Sequence, residues 1–82
     1  MKRKSTYKCP ICGAHLETWE KKSFDPDGYP EYWVFYRCPN CNIEVGSEIA
    51  WLDREAIENE LSEKNIRRRL LEKWKAKECD EA

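Results

Sequence analysis

Two stretches rich in aromatic and β-branched residues flank a cluster of turn-forming residues. The first runs from His15 to Phe24 without helix caps, and the second, from Glu31 to Arg37, is dense in Tyr, Trp, Val and Phe. Both compositions are typical of β-strands. In the intervening Asp25–Pro30 segment, Pro26 suits the first corner of a turn and Gly28 can take a positive φ. The pattern therefore predicts a β-hairpin.

A third strand and a helix are predicted after the hairpin. Ile43, Val45 and Ile49 form an apolar stretch that alternates at a period of two and is interrupted by Gly46. Asp53 is a suitable helix N-cap, and no glycine or proline follows it as far as Lys77. We therefore expect the last third of the chain to be helical.

The apolar positions of the predicted helix fall into two stripes. Ile57 and Leu61 share one face, because residues four apart lie close in angle on an α-helix. The second stripe is displaced by roughly 180° to 220° and consists of Ile66, Leu70 and Trp74. Either the helix breaks near Ser62 and Asn65, which are good capping residues, or the second stripe packs on something other than the sheet. We expect an intact or mildly bent helix whose second stripe meets a partner.

The chain is short for a self-sufficient core. Its 82 residues form one small domain, and a chain of this size buries only about 60% of the surface that its unfolded form exposes. Small domains therefore often depend on a metal, disulfides or a partner subunit. Five cysteines make a metal the first candidate. Their odd number, and the lack of a long apolar stretch, predict a reducing cytoplasmic setting without membrane contact.

Four of the cysteines form two Cys-x-x-Cys pairs separated by 25 residues. Two intervening residues let one tight turn direct both sulfurs at an ion, and two such turns complete a tetrahedron with Zn–S distances of about 2.3 Å. Gly13 and Asn42, which follow the pairs, readily adopt left-handed turn conformations. Four protein ligands leave no open position. We therefore predict one structural Zn²⁺ bound by Cys9, Cys12, Cys38 and Cys41.

Two other chemistries are open to the cysteine pairs. Iron is one, because Phe24–Gly28 resembles the Tyr-Asp-Pro stretch of rubredoxins, although no glycine follows Cys41. A redox dithiol is the other, but it does not account for the second pair. Cys79, in the polar tail, is expected to be a spare thiol. His15, the single histidine, is expected to be neither a ligand nor a base.

Two surfaces are candidates for binding a macromolecule. The Glu31–Arg37 strand is apolar on both faces, and one helix covers only one face of a sheet. Either an aromatic face is exposed, or Trp19, Trp51 and Trp74 wrap the hairpin and bury both faces. An exposed aromatic face and the second helix stripe are predicted to contact a protein or a second copy of the chain, through Trp33, Phe35, Ile66, Leu70 and Trp74. Alternatively, exposed aromatic rings stack on bases while basic residues bind nucleic-acid phosphates. The candidate basic residues are Lys2, Arg3, Lys4, Arg67, Arg68 and Arg69.

Composition argues against catalysis and against strong bulk attraction to nucleic acid. The formal net charge is -1, so phosphate binding would need a local basic patch. The chain has three glycines and one histidine, with no paired carboxylates, activated nucleophile or phosphate-binding glycine loop. We therefore expect neither enzymatic activity nor a small-molecule substrate.

Three features carry a family resemblance over roughly residues 8–60: Cys9–Gly13, an aromatic strand leading into Cys38 and Cys41, and Glu55–Ile57 at the start of a helix. In these features the chain resembles the short phage and prophage zinc ribbons of the restriction-alleviation (Lar-like) type. The resemblance implies a small virus-encoded protein of the host cytoplasm. Such a protein would alter a host enzyme or nucleic-acid machine by direct contact.

These expectations combine into a small metal-bound α+β fold, a zinc ribbon with a three-stranded antiparallel sheet followed by a C-terminal helix. Residues 1–52 are predicted to form the ribbon with a basic N-terminal arm. Residues 53–79 are predicted to form the helix, packed on the ribbon or on a partner, and residues 80–82 a tail. The predicted function is a regulatory binding module that contacts a protein. The alternatives are a nucleic-acid-binding ribbon and, more distantly, a rubredoxin-like iron electron carrier.

Overall fold

The chain folds into an antiparallel sheet followed by two helices. The computed structural model describes residues 2–80, and their side chains as far as Lys77. The sheet has the strand order β1-β2-β3-β4, so neighbours in sequence are neighbours in space. The elements are β1 Arg3–Lys8, β2 His15–Phe24, β3 Pro30–Cys38, β4 Ile43–Glu48, α1 Arg54–Glu60 and α2 Glu63–Asp80.

The prediction of three strands is wrong, because the basic N-terminal arm is itself a strand. β1 pairs antiparallel with β2, with Arg3 opposite Thr18 and Lys8 opposite His15. Tyr7 packs against the core, and the other side chains of β1 are polar or charged. The strand therefore has almost no apolar pattern of its own. Pairing with β2 supplies its backbone hydrogen bonds. The other three strands are confirmed, with ends within one or two residues of those predicted.

The turn between β2 and β3 forms as predicted. Gly28 has a φ of 88°, a conformation that glycine adopts without steric cost. The Asp25 carboxylate accepts hydrogen bonds from the backbone N–H groups of Asp27 at 3.0 Å and Tyr29 at 2.8 Å. This turn sets the register of the hairpin, which places Trp19 opposite Phe35.

The helical region is divided in two, which corrects our expectation of an intact helix. Asp53 is the N-cap of α1, as predicted, and accepts a hydrogen bond from the Ala56 N–H at 2.8 Å. After α1 ends at Glu60, the Ser62 hydroxyl accepts from the Asn65 N–H at 3.3 Å. The Asn65 amide in turn donates to the Glu60 carbonyl at 2.7 Å. The alternative that we considered, a break near Ser62 and Asn65, is therefore confirmed.

The core joins α2 to the sheet and to two of the cysteines. Ile66 and Leu70 are only 1% and 0% exposed, and α2 packs on β4. Their predicted contact with a partner is therefore wrong, because the break at Ser62 lets the second stripe face the chain's own sheet. Trp74 is partly buried against the same cluster. The buried members of the cluster are Cys9, Leu16, Cys38, Ile43, Val45, Ile66 and Leu70.

Helix α2 closes the described part of the chain. It extends to Asp80, so it continues past the predicted helix end at residue 79. The thiol of Cys79 and the rest of the predicted tail lie outside the side chains and residues that are described. Within residues 2–80, neither helix is long and apolar enough to cross a membrane.

Candidate metal centre

The two Cys-x-x-Cys pairs occupy the two strand connections at one end of the sheet. Cys9 directly follows β1, and Cys12 lies in the turn that leads into β2. Cys38 is the last residue of β3, and Cys41 lies in the turn before β4. In a four-stranded antiparallel meander the first and third turns lie at the same end, so the fold itself brings the pairs together.

The four cysteine sulfurs form one compact cluster. All four Sγ atoms lie within 4.8 Å of one another. The Cys9 and Cys41 sulfurs are 3.8 Å apart, and the Cys12 and Cys38 sulfurs are 3.4 Å apart. A tetrahedral ion with metal–sulfur bonds of about 2.3 Å requires sulfur–sulfur distances of about 3.8 Å. The spacing therefore fits one tetrahedral metal ion, as the sequence predicted.

The two turns that carry the cysteines have the same local structure. The Gly13 N–H donates to the Cys9 carbonyl at 3.0 Å, and the Asn42 N–H donates to the Cys38 carbonyl at 2.9 Å. Gly13 has a φ of 77° and Asn42 a φ of 55°, which confirms the predicted left-handed conformations. Each pair is thus followed by a residue type that allows the chain to reverse into the next strand.

Backbone N–H groups point at the sulfurs inside both turns. The Ile11 N–H donates to the Cys9 sulfur and the Cys41 N–H to the Cys38 sulfur, each at 3.4 Å. Hydrogen bonds of this kind stabilise the negatively charged form of a thiol. Both turns therefore supply donors to sulfurs that carry negative charge when a metal is bound.

Burial and hydrogen bonding shift the cysteine pKa values in different directions. Burial raises the pKa of Cys38, and it raises the pKa of Cys41 to about 12. A hydrogen bond with the Ala14 backbone, followed by one with Cys38, lowers the pKa of the exposed Cys12 to about 7. The metal-free site therefore holds protons at neutral pH, and a cation must displace them in order to bind.

The only histidine of the chain lies outside this cluster. His15 is exposed, and its Nδ1 atom is 3.1 Å from the Ser5 carbonyl oxygen. The donor set is therefore four sulfurs. Thiolate sulfur in tetrahedral arrangement is typical of zinc and iron sites.

The face of the sheet that points away from α2 carries a group of stacked aromatic side chains. The Trp19 and Phe35 rings are stacked with centroids 5.2 Å apart, and the Trp33 and Phe35 rings with centroids 6.1 Å apart. All three are partly exposed. A Cβ at Gly46 would lie 2.6 Å from the Phe35 ring, so Phe35 occupies the space above this glycine. We predicted Trp33 and Phe35 for this surface but omitted Trp19, which the register of the hairpin identifies.

Arg69 has a structural position, which corrects its assignment to a nucleic-acid surface. Its guanidinium donates to the Gly46 carbonyl at 2.8 Å, to the Ser47 hydroxyl, and to the Glu60 carboxylate at 3.4 Å. Ser47 also donates to Glu60 at 3.1 Å. This network fastens α2 and the end of α1 to β4, so the Arg69 guanidinium is engaged within the chain.

The remaining basic candidates are distributed over the surface. Arg3 forms an ion pair with Glu20 at 3.7 Å, and the Lys2 ammonium lies 5.0 Å from the centre of the Trp19 ring. Exposed basic residues from the predicted set are Lys2, Arg3, Lys4, Arg67 and Arg68. Arg68 donates to the Asn65 side chain at 2.7 Å.

Comparison of the chain with known protein families, with curated proteins and with solved structures found no match. The resemblance to Lar-like zinc ribbons therefore stays a prediction.

Proposed function

We propose that this chain is a zinc-ribbon binding module that acts by direct contact with a protein rather than by catalysis. One structural Zn²⁺ would be held by the four clustered cysteines. The observation that carries the proposal is the position of this cluster, which belongs to the same core as α2 and lies at one end of a sheet with an uncovered aromatic face.

The cluster favours a structural role for the metal. Cys9 and Cys38 are 2% and 0% exposed, and they pack in one cluster with Ile66 and Leu70. A metal there would join both cysteine turns to the helix. Structural zinc contributes about 10–16 kcal/mol in small domains, which equals or exceeds the total stability of about 4–12 kcal/mol typical of a chain of this length. Four sulfur ligands also leave no coordination position for a substrate.

The aromatic face favours a protein as the partner. Trp19, Phe35 and Trp33 stack on one another, and Lys2 lies over the Trp19 ring. A nucleic-acid base needs a free ring face on which to stack, and contacts within the chain already use ring faces of these residues. A continuous group of partly exposed aromatic rings is instead typical of the centre of a protein interface.

An affinity-capture experiment with matched tryptophan variants tests this proposal. Trp33 belongs to the stacked aromatic group on the sheet, whereas Trp51 lies outside the sheet and is 66% exposed. We expect Trp33→Ala to lose a protein that the zinc-loaded chain captures from its source cells, while Trp51→Ala keeps it. Zinc content should be unchanged in both variants. Nuclease-sensitive capture that weakens steeply with added salt, or equal capture by the two variants, would contradict the proposal.

A further inference from the structure

The uncovered face of the sheet carries charges in an alternating order. The register places Lys4 opposite Glu17, Glu17 opposite Arg37, and Arg37 opposite Glu44. From β1 to β4 this row is therefore positive, negative, positive, negative. Glu17 and Arg37 form an ion pair at 3.5 Å across the middle of the row. A second copy can be placed face to face with the first by a half-turn about an axis that runs parallel to the strands, between β2 and β3. Each charged position of one copy then lies over a position of opposite sign in the other copy.

The next row has the same relation with aromatic residues. Trp19 lies opposite Phe35, and Phe35 lies opposite Gly46. The half-turn brings Trp19 of one copy onto Phe35 of the other. It also brings Lys2 of one copy near Gly46 of the other, a position that the Phe35 ring covers.

The third row continues the pattern. Lys21 lies opposite Trp33, and Trp33 lies opposite Glu48. The half-turn sets Lys21 of one copy over Trp33 of the other, an arrangement that allows a cation–π contact.

We propose that this face binds a second copy of the chain and forms a two-fold dimer by sheet-on-sheet packing. The inference rests on the proposed function, because it names the partner of the same aromatic face. A two-fold interface requires a self-complementary surface, and all three rows meet this condition. The other half-turn, about an axis perpendicular to the strands, would instead bring Glu44 onto Glu48 of the other copy.

The size of the face predicts a reversible dimer. Four strands of six residues cover about 19 by 20 Å, or about 800 Å² for the two copies together. Stable interfaces bury about 1,200 Å² or more. We therefore expect a rapid monomer–dimer equilibrium that depends on protein concentration and on salt.

Sedimentation equilibrium of the zinc-loaded 82-residue chain tests the dimer, at concentrations from about 10 µM to about 1 mM. Lys4→Glu and Glu44→Lys each place like charges at both symmetry-related contacts, so each is expected to weaken dimerisation about tenfold. An equimolar mixture of the two variants restores both attractive contacts. It should therefore dimerise as well as the wild type. The control is Lys73→Glu, an exposed residue of α2 on the other side of the sheet, which should change nothing.

A wild-type chain that stays monomeric up to about 1 mM would overturn the dimer. So would single variants that dimerise normally, or a mixture that does not recover. The proposed function has a separate outcome, because a monomeric chain that captures another protein through Trp33 would retain that function and lose only this inference. Zinc content measured in the same samples should be that of the wild type.

Discussion

Leu70 is the most informative single residue for how α2 is held, because its neighbour Leu71 is a matched control. Leu70 is 0% exposed, whereas Leu71 is 36% exposed. Truncating a fully buried leucine to alanine loses its contacts, leaves a cavity, and costs about 2–5 kcal/mol. Leu71→Ala should change the free energy of unfolding by less than about 0.5 kcal/mol. With a total stability of about 4–12 kcal/mol for this length, Leu70→Ala removes a large fraction.

Urea unfolding at one fixed free-zinc concentration measures this difference, since bound metal shifts apparent stability by mass action. With a slope of about 1 kcal/mol per molar urea, a loss of about 3 kcal/mol lowers the midpoint by about 3 M. Leu70→Glu should lose the fold and the metal together. A Leu70→Ala midpoint equal to that of Leu71→Ala would refute the docking of α2 by this side chain and return Leu70 to a binding surface.

A Cβ in Gly46→Ala would lie 2.6 Å from the Phe35 ring, so we expect a loss of about 1–3 kcal/mol and an altered near-UV circular dichroism spectrum; an unaltered spectrum would argue against this packing. Asn42 has a φ of 55°, so Asn42→Ala should unfold more easily than Asn42→Gly, by about 1–2 kcal/mol; equal stability would contradict the strained turn. Burial raises the pKa values of Cys38 and Cys41, so the bound site holds fewer protons than the free site. Zinc affinity, measured by chelator competition, should therefore fall from about pH 8 to about pH 6, and a constant affinity would oppose this.

The cysteine cluster and the hairpin were predictable because short-range rules determine them. A Cys-x-x-Cys turn depends on two intervening residues and on a left-handed exit, which Gly13 and Asn42 supply. The Asp25 turn has its own hydrogen bonds. These features need no knowledge of distant residues, so sequence patterns suffice.

The features that sequence reasoning missed depend on tertiary contacts. β1 has little apolar pattern, and it forms because β2 offers a free edge. The helix break was one of two open alternatives, and the deciding signal was the spacing of Ser62 and Asn65, which cap the two helix ends. Trp19 could have been placed beside Phe35 by counting the register outward from the turn.

The metal content of the purified chain tests the central claim most directly. Native mass spectrometry and elemental analysis should find one Zn²⁺ per chain, and a chelator should unfold the protein as it removes the ion. Cys38→Ser should lose the metal, whereas Cys79→Ser, at the cysteine outside both pairs, should keep it. A chain that stays folded without metal, or one that keeps its full zinc content after Cys38→Ser, would contradict the four-cysteine zinc site.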